Sequence, residues 1–199
     1  MVELNTLGRL NALTDGVYAI VITLLVLDLH VPETPGLVDR QLLVDLHEQI
    51  PNFVAYLISF FVAALLWMKN HWILKPLEKC DYKTFWLNFA HLLFVSLIPF
   101  TASLIGRYEQ DALAVILFSG SLGLASLSLD FLHRYAVTKT EWHSKDATKE
   151  WTNPEWWMMY LTIFFALGSI LISLINVNAA IALWLLFPVW LLFFRRRYP

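Results

Sequence analysis

Residues 9–28 of the chain are RLNALTDGVYAIVITLLVLD. Its charged side chains are Arg9, Asp15 and Asp28, and the residues between them are mostly apolar. A helix needs roughly 20 apolar residues to cross the hydrocarbon core of a bilayer. We therefore predict a transmembrane helix over residues 10–29. We expect this segment to be a retained helix and not a secretory signal peptide, because the apolar run is too long and no small-residue cleavage site follows it.

The composition of the whole chain agrees with a membrane protein. Of its 199 residues, 58% are hydrophobic and only 15% are charged, and the mean hydropathy is +0.60. Ordinary soluble domains carry roughly 25% charged residues. The formal charge of −2 disfavours nucleic-acid binding, and the single cysteine, Cys80, excludes an intramolecular disulfide.

Six stretches are long and apolar enough to span a bilayer as helices. They cover residues 10–29, 51–74, 85–105, 112–132, 156–175 and 177–194. The sequence thus predicts an all-α membrane protein whose residues 1–199 form a single six-helix transmembrane domain. The last two spans would form a tight hairpin at Asn176, and spans four to six are interpreted as a lipid-facing scaffold. The apolar residues within 33–48 are spaced as in a short amphipathic helix that lies on the membrane surface.

The orientation follows from the lysine and arginine residues near the ends of the spans, which favour the cytoplasmic side. Arg40 and Arg107 would lie on one face of the membrane. The other face would carry Arg9, Lys69, Lys75, Lys79, Lys83, Arg134, Lys139, Lys145, Lys149, Arg195, Arg196 and Arg197. We therefore expect both termini to be cytoplasmic and the protein to be a multi-pass protein of the plasma (inner) membrane.

A helical wheel divides the first span into two faces. Ile20, Thr23, Leu24 and Leu27 fall on one stripe, within roughly 100° of one another. Asp15 lies about 140° from Ile20, and its carboxylate is expected to point into the protein and to pair with Arg9 or with a polar group on a neighbouring helix. Ordinary core packing would also account for the stripe.

The pattern from Arg9 through Leu13-Thr14-Asp15 to Asp28 closely resembles the signature first helix of the transmembrane protein 175 family of potassium channels. The hallmark of that family is Arg-x-x-x-Phe-Ser-Asp followed by an apolar run. The resemblance extends to the six-helix layout, to His71-Trp72 at the end of the second helix, and to Asn88 and Pro99-Phe100 in the third. Leu13 replaces the usual Phe, whereas Thr14 replaces the usual Ser and keeps its hydroxyl.

The resemblance implies a channel whose pore is lined by the first helix of each subunit. In that family's pattern Ile20 matches a constricting apolar layer, Thr23 a hydroxyl-bearing layer and Leu27 a second apolar ring, with Leu24 on the same stripe. Animal members of that family carry two six-helix units in one chain and pair. The resemblance therefore implies that a chain with one unit forms a homotetramer in the lipid membrane. Potassium would be the permeant ion near Ile20 and Thr23, with no cofactor, nucleic-acid partner or structural metal.

We expect a leak-like channel with a moderate preference for potassium over sodium. The chain has no Thr-Val-Gly-Tyr-Gly loop, so the carbonyl filter of ordinary potassium channels is not available. A narrow ring of Ile20 would penalise the ion that loses its water at greater cost, which is sodium. Asp28, repeated around the outer mouth, would attract cations, although it could also simply end the helix in water.

Polar residues in the first three helices are expected to form a network that supports the pore helix. These residues are Arg9, Thr14, Asp15, His71, Asn88 and His91. Simple interhelical pairing without any effect on conduction is the alternative, and a metal site at His71 and His91 would lack further ligands. A secondary or proton-coupled transporter is the competing function, but the broken helices and internal repeats of transporters are not evident. The sequence shows no nucleophilic side chain with a partnered base, so we do not expect an enzyme.

Overall fold

The computed structural model describes residues 4–30, 39–108, 110–139, 142 and 156–195. Over these residues the chain is entirely helical apart from its turns and connections. The helices are α1 (Leu4–Leu24), a 3-10 segment (Leu25–Asp28), α2 (Asp39–Glu48), α3 (Ile50–Leu74), α4 (Tyr82–Ser96), α5 (Ile98–Arg107), α6 (Ala112–Val137), α7 (Trp156–Ser173) and α8 (Val177–Arg195).

Four helical stretches in the described part of the chain are long and apolar enough to cross a membrane. They are Leu7–Asp28, Ile50–Leu74, Tyr82–Arg107 and Ala112–Val137. Two shorter apolar helices follow, Tyr160–Ser173 and Val177–Pro188. The prediction of an all-α membrane protein is therefore confirmed, and the positions of the six predicted spans all coincide with helices.

The boundaries differ from the prediction in two places. The first helix begins at Leu4 instead of residue 10, and its last turn tightens into the 3-10 segment. The third span is two helices, α4 and α5, which meet at Leu97. Pro99 lies in the first turn of α5, and because proline has no N–H it cannot continue the hydrogen-bond ladder of α4.

Two local predictions agree with the structure. The surface helix forms as α2, Asp39–Glu48, while residues 33–38 lie outside the described part of the chain. The hairpin between α7 and α8 is closed at Asn176, whose side-chain Oδ1 accepts a hydrogen bond from the Ala179 N–H at 3.0 Å. This bond satisfies one of the free N–H groups at the start of α8.

Helix α6 is the centre of the fold, which makes its interpretation as a lipid-facing scaffold wrong. It packs most extensively against α7 and α4, and Val115, Phe118, Leu122 and Ala125 are fully buried. The small serines of α6 let the neighbouring helices approach closely. Apolar residues on every side of a helix are compatible with a protein core as well as with lipid, so the sequence did not distinguish the two.

Lys69 was counted among the cations outside the membrane, but it lies inside α3. Its side chain is 2% exposed, and Nζ donates a hydrogen bond to Thr162 Oγ1 of α7 at 3.3 Å. The remaining predicted cytoplasmic cations still outnumber Arg40 and Arg107. Lys145, Lys149, Arg196 and Arg197 lie outside the described residues.

Asp81 ties the connection between α3 and α4 to the end of α6. It is the N-cap of α4 and accepts hydrogen bonds from the N–H of Thr84 at 2.8 Å and from its hydroxyl at 2.9 Å. The Tyr135 hydroxyl donates to its other oxygen. Partial burial acts to raise the pKa of Asp81, but the hydrogen bonds from Tyr135 and Thr84 outweigh it and hold the pKa below the usual value.

Replacing Asp81 by alanine is expected to lower the free energy of unfolding by about 1 kcal/mol, as for other lost N-caps. Asp81→Asn should lose less, because asparagine also caps helices well. Thermal unfolding in detergent measures both.

A carboxylate whose pKa is lower in the folded state stabilises the fold above its unfolded pKa of about 3.9, and that contribution disappears as the pH falls through the folded value. The difference between wild type and Asp81→Ala should therefore shrink below about pH 4, and a constant difference down to pH 2 would contradict this account.

Candidate ion pathway on the first helix

One side of α1 and of its 3-10 extension is not covered by the rest of the subunit. Ile20 is 59% exposed and Leu27 67%, and Thr23 and Leu24 are also exposed. On the opposite side Tyr18, Val21 and Leu25 are buried, where α1 and the 3-10 segment pack against α3, α4 and α5. The four residues of the predicted stripe thus share the uncovered side, whereas the packing alternative would have buried them within the subunit.

Polar side chains lie on the same uncovered side. Arg9 and Asp15 are exposed together with Thr23. At about 100° per residue, Arg9 falls within about 20° of Ile20 on the wheel and one end of the stripe therefore carries a cation. Charged side chains are costly in contact with lipid tails and usually face protein or water.

The Thr23 hydroxyl donates its proton back to the helix backbone. Its Oγ1 lies 2.8 Å from the carbonyl oxygen of Ala19 and 2.9 Å from that of Ile20. Threonine in a helix often makes such a back-bond, and the bond is compatible with a role in ion coordination. Since the only proton is engaged by the backbone, the oxygen lone pairs remain available to a cation.

The C-terminal end of α1 continues into the 3-10 segment, which the α-helical pattern did not predict. In a 3-10 helix residues three apart lie directly above one another, so Leu24 and Leu27 lie on one line. Asp28, the predicted mouth residue, ends this turn and is half-buried. The exposed His30 donates from Nδ1 to the Asp28 carbonyl at 2.8 Å, which closes the segment.

The N-terminal half of α1 is attached to α3 and α4 by a buried chain of side-chain hydrogen bonds. Asn70 Nδ2 donates to Asn88 Oδ1 at 2.8 Å, and Asn88 Nδ2 donates to Thr14 Oγ1 at 2.8 Å. Thr14 in turn donates to the Leu10 carbonyl at 2.9 Å. The structure brings the predicted residues Thr14 and Asn88 together, and it adds Asn70, which the sequence analysis missed.

Asp15 does not point into the protein as expected, since it is exposed. Of the two expected partners, the polar group on a neighbouring helix is the one found: the Trp67 indole Nε1 donates to Asp15 Oδ1 at 2.8 Å. The ring of Trp67 stacks on that of His71, with centroids 5.9 Å apart. Arg9 makes no hydrogen bond or ion pair with any described residue of its own subunit, so its predicted pairing with Asp15 is wrong within one subunit.

His91 joins α1 to α6. Its Nε2 lies 2.6 Å from the hydroxyl of Tyr18, and its Nδ1 lies 3.0 Å from the Ala125 carbonyl and 3.0 Å from Ser128 Oγ. Sequence reasoning placed His91 in the supporting network but missed Tyr18. A tyrosine in the middle of a membrane helix needs a partner for its hydroxyl, and that signal was present in the sequence.

Neither His71 nor His91 forms a metal site with other residues that the structure describes. His91 uses both ring nitrogens in protein contacts, and His71 is exposed beside Trp67. Over the described residues there is no group of three or more His, Cys, Asp or Glu side chains that could hold a metal ion.

Known proteins resemble this chain over most of its length. Residues 9–99 match the family model described as endosomal/lysosomal potassium channel TMEM175. A potassium channel of Chamaesiphon minutus is 32% identical over 165 residues, which are 75% of this chain and 79% of the relative. A potassium channel of Streptomyces collinus is 33% identical over 130 residues, 64% of this chain and 62% of the relative.

A solved structure has the same fold. The crystal structure of a lysosomal potassium-selective channel TMEM175 homolog from Chamaesiphon minutus superposes with a TM-score of 0.78 at 24% identity. The match covers 94% of this chain and 96% of the solved one. The order and packing of the helices described above are therefore those of this fold.

Proposed function

Because the chain belongs to the TMEM175 family of potassium channels, we propose that it conducts potassium through a homotetrameric pore lined by α1. It is a multi-pass membrane protein of a channel family, not of an enzyme family. The proposal assigns the constriction to Ile20, Thr23, Leu24 and Leu27, places the protein in the plasma membrane and places both termini in the cytoplasm.

The observation that carries the proposal is the uncovered side of α1. It extends over about half of the helix circumference at 100° per residue, and it combines apolar Ile20 and Leu27 with charged Arg9 and Asp15. A side facing lipid tails would not hold these charges at low cost. Contact with other subunits and with a water-filled axis accounts for both kinds of side chain.

A fourfold arrangement divides this uncovered side into two parts. The arc around Ile20 would face the axis. Asp15, Ala19 and Val26 lie about 100–140° away on the wheel, and they are exposed as well, so they would contact the α1 helix of the next subunit. Closed rotational symmetry is the usual outcome when one surface patch repeats around an axis.

The chemistry of the stripe suits a potassium channel without a carbonyl filter. A ring of Ile20 provides no oxygen, so an ion must pass it at the cost of part of its hydration shell, and that cost is greater for sodium. Thr23 lies one helical turn further out, about 4.5 Å along the axis, where four hydroxyl oxygens would replace part of the lost water. The expected result is a moderate preference for potassium over sodium and a leak-like potassium conductance.

Single-channel recording of the purified protein in planar bilayers tests this function. We expect unitary currents that reverse near the potassium equilibrium potential, and a mass of four subunits in detergent. Slow, saturating flux without unitary steps would indicate a transporter instead. A stable dimer or trimer that conducts would contradict the tetrameric assembly but not the channel function.

Thr23 provides a matched pair of substitutions. Thr23→Val removes the oxygen and keeps the shape, and we expect it to lower potassium conductance about fivefold, the factor that corresponds to about 1 kcal/mol. Thr23→Ser keeps the hydroxyl and should stay within about twofold of wild type. Recordings in symmetric KCl measure both. Equal conductance in Thr23→Val and wild type would show that the hydroxyl does not contact the ion.

A further inference from the structure

The side of α1 that faces away from the proposed pore carries a directed hydrogen-bond chain, from Tyr18 through His91 to α6. Tyr18 is 1% exposed and His91 is 0% exposed. The chain joins three helices at one level, since Tyr18 lies on α1, His91 on α4, and Ala125 and Ser128 on α6.

The protons of this chain can be assigned from its partners. The Ala125 carbonyl can only accept, so His91 Nδ1 carries the proton and donates to it at 3.0 Å. Ser128 Oγ also donates to that carbonyl, at 2.7 Å. In the neutral imidazole Nε2 is then an acceptor, and the Tyr18 hydroxyl donates to it at 2.6 Å. The Tyr18 hydroxyl and His91 Nε2 thus have each other as partner only when α1 presents Tyr18 to His91.

Tyr18 is the polar attachment of α1 that lies nearest the proposed constriction. The bonds of Thr14 and Asp15 lie about 9 and 7.5 Å below Ile20 along the axis, whereas Tyr18 lies about 3 Å below it. On the wheel Tyr18 is about 160° from Ile20, almost directly behind it. Outward of Tyr18, the buried contacts of α1 and its 3-10 turn are apolar, at Val21 and Leu25.

We propose that Tyr18 and His91 are positioning residues for ion selection: their hydrogen bond fixes the rotation of α1 about its own axis and thereby aims Ile20 and Thr23 at the pore. This inference rests on the proposed function, in which α1 lines the pore. Apolar contacts resist separation of helices but are not directional, whereas a hydrogen bond weakens steeply as its angle departs from linearity.

A small rotation has a large consequence at the constriction. Side chains of a helix reach about 5–6 Å from its axis. A rotation of about 10° therefore moves the tip of Ile20 sideways by about 1 Å, and fourfold symmetry repeats that movement in every subunit. In a ring that selects by partial dehydration, such a change alters how much water each ion keeps.

The test compares variants of the pair in planar bilayers, with the permeability ratio of potassium to sodium taken from reversal potentials. Tyr18→Phe removes only the hydroxyl, and we expect the ratio to fall about fivefold, the factor for one ordinary hydrogen bond. His91→Leu should produce a similar fall. The double variant should fall no further, because both substitutions break the same bond.

Two further variants separate positioning from stability. His91→Gln keeps an acceptor for Tyr18 and a donor for the Ala125 carbonyl, and it should retain most of the selectivity. Tyr56→Phe is the matched control, because Tyr56 is half-buried on α3 and its hydroxyl has no partner among the described residues. This variant should keep the wild-type ratio.

The outcomes are distinct. A selective wild-type current whose ratio is unchanged in Tyr18→Phe, even if the protein melts at a lower temperature, overturns the positioning role and leaves the channel intact. Additive losses in the double variant also overturn it. A wild-type protein that passes no potassium current overturns the proposed function, and this inference with it.

Discussion

Replacing Ile20 by asparagine is expected to abolish most of the preference for potassium over sodium while the protein still conducts. The side chain is 59% exposed on the uncovered side of α1, and four copies would form the narrowest apolar ring. An amide at that position offers an oxygen and an N–H to passing water, so the ring no longer dewets or strips hydration from the ion. Without that penalty, the permeability ratio should fall towards one.

Reversal potentials under bi-ionic potassium and sodium conditions measure this change. Ile20→Leu is the matched control, since it keeps an apolar side chain of equal volume and should keep the preference. Because Ile20 is not part of the subunit core, Ile20→Asn should change the free energy of unfolding by no more than about 0.5 kcal/mol per subunit. Unchanged conductance and selectivity in Ile20→Asn would remove Ile20 from the pore and would contradict the proposed arrangement.

Replacing Asn88 by leucine is expected to lower the free energy of unfolding by about 2–3 kcal/mol, more than any other substitution proposed above. Asn88 is 0% exposed and joins Asn70 of α3 to Thr14 of α1 through two hydrogen bonds of 2.8 Å. Leucine removes both bonds. It also leaves the buried Asn70 amide without the acceptor that it now uses, and that unpaired donor contributes most of the loss.

A double-mutant cycle tests this account by thermal unfolding in detergent. Asn70→Leu alone should also destabilise the protein, because it removes the partner of Asn88 Oδ1. The double variant should lose clearly less than the two single losses combined, since the second substitution removes the group that the first left unpaired. Strictly additive losses would show that the two amides do not act as a unit.

Several residues of the site could be predicted because each carries a strong local signal. The apolar stripe of α1 follows from helical periodicity, and the structure leaves Ile20, Thr23, Leu24 and Leu27 together on one side. Thr14, Asn88 and His91 are polar residues inside apolar helices, which is costly unless they are paired. Their membership of a hydrogen-bond network was therefore expected, and the structure provides partners for all three.

The partners themselves could not be predicted. Trp67 lies near the end of α3, where a tryptophan commonly anchors a helix at the membrane interface, yet its indole donates a hydrogen bond to Asp15. Lys69 was counted among the cations near the ends of the spans, yet it is buried beside Thr162, which lies 93 positions further along the chain. Such pairs depend on how helices distant in sequence lie beside one another, and a single sequence without alignment contains no signal for that.

By itself, the sequence determined that the protein is helical and membrane-bound, where its spans lie, and which residues of the first helix share a face. These properties are local, because hydrophobicity, length and helical periodicity fix them within about twenty residues. Only the folded structure shows that α6 lies in the core and that Tyr18 is hydrogen-bonded through His91 to α6. Those features arise from packing between helices, where an apolar surface fits protein or lipid equally well and only the neighbouring side chains decide between them.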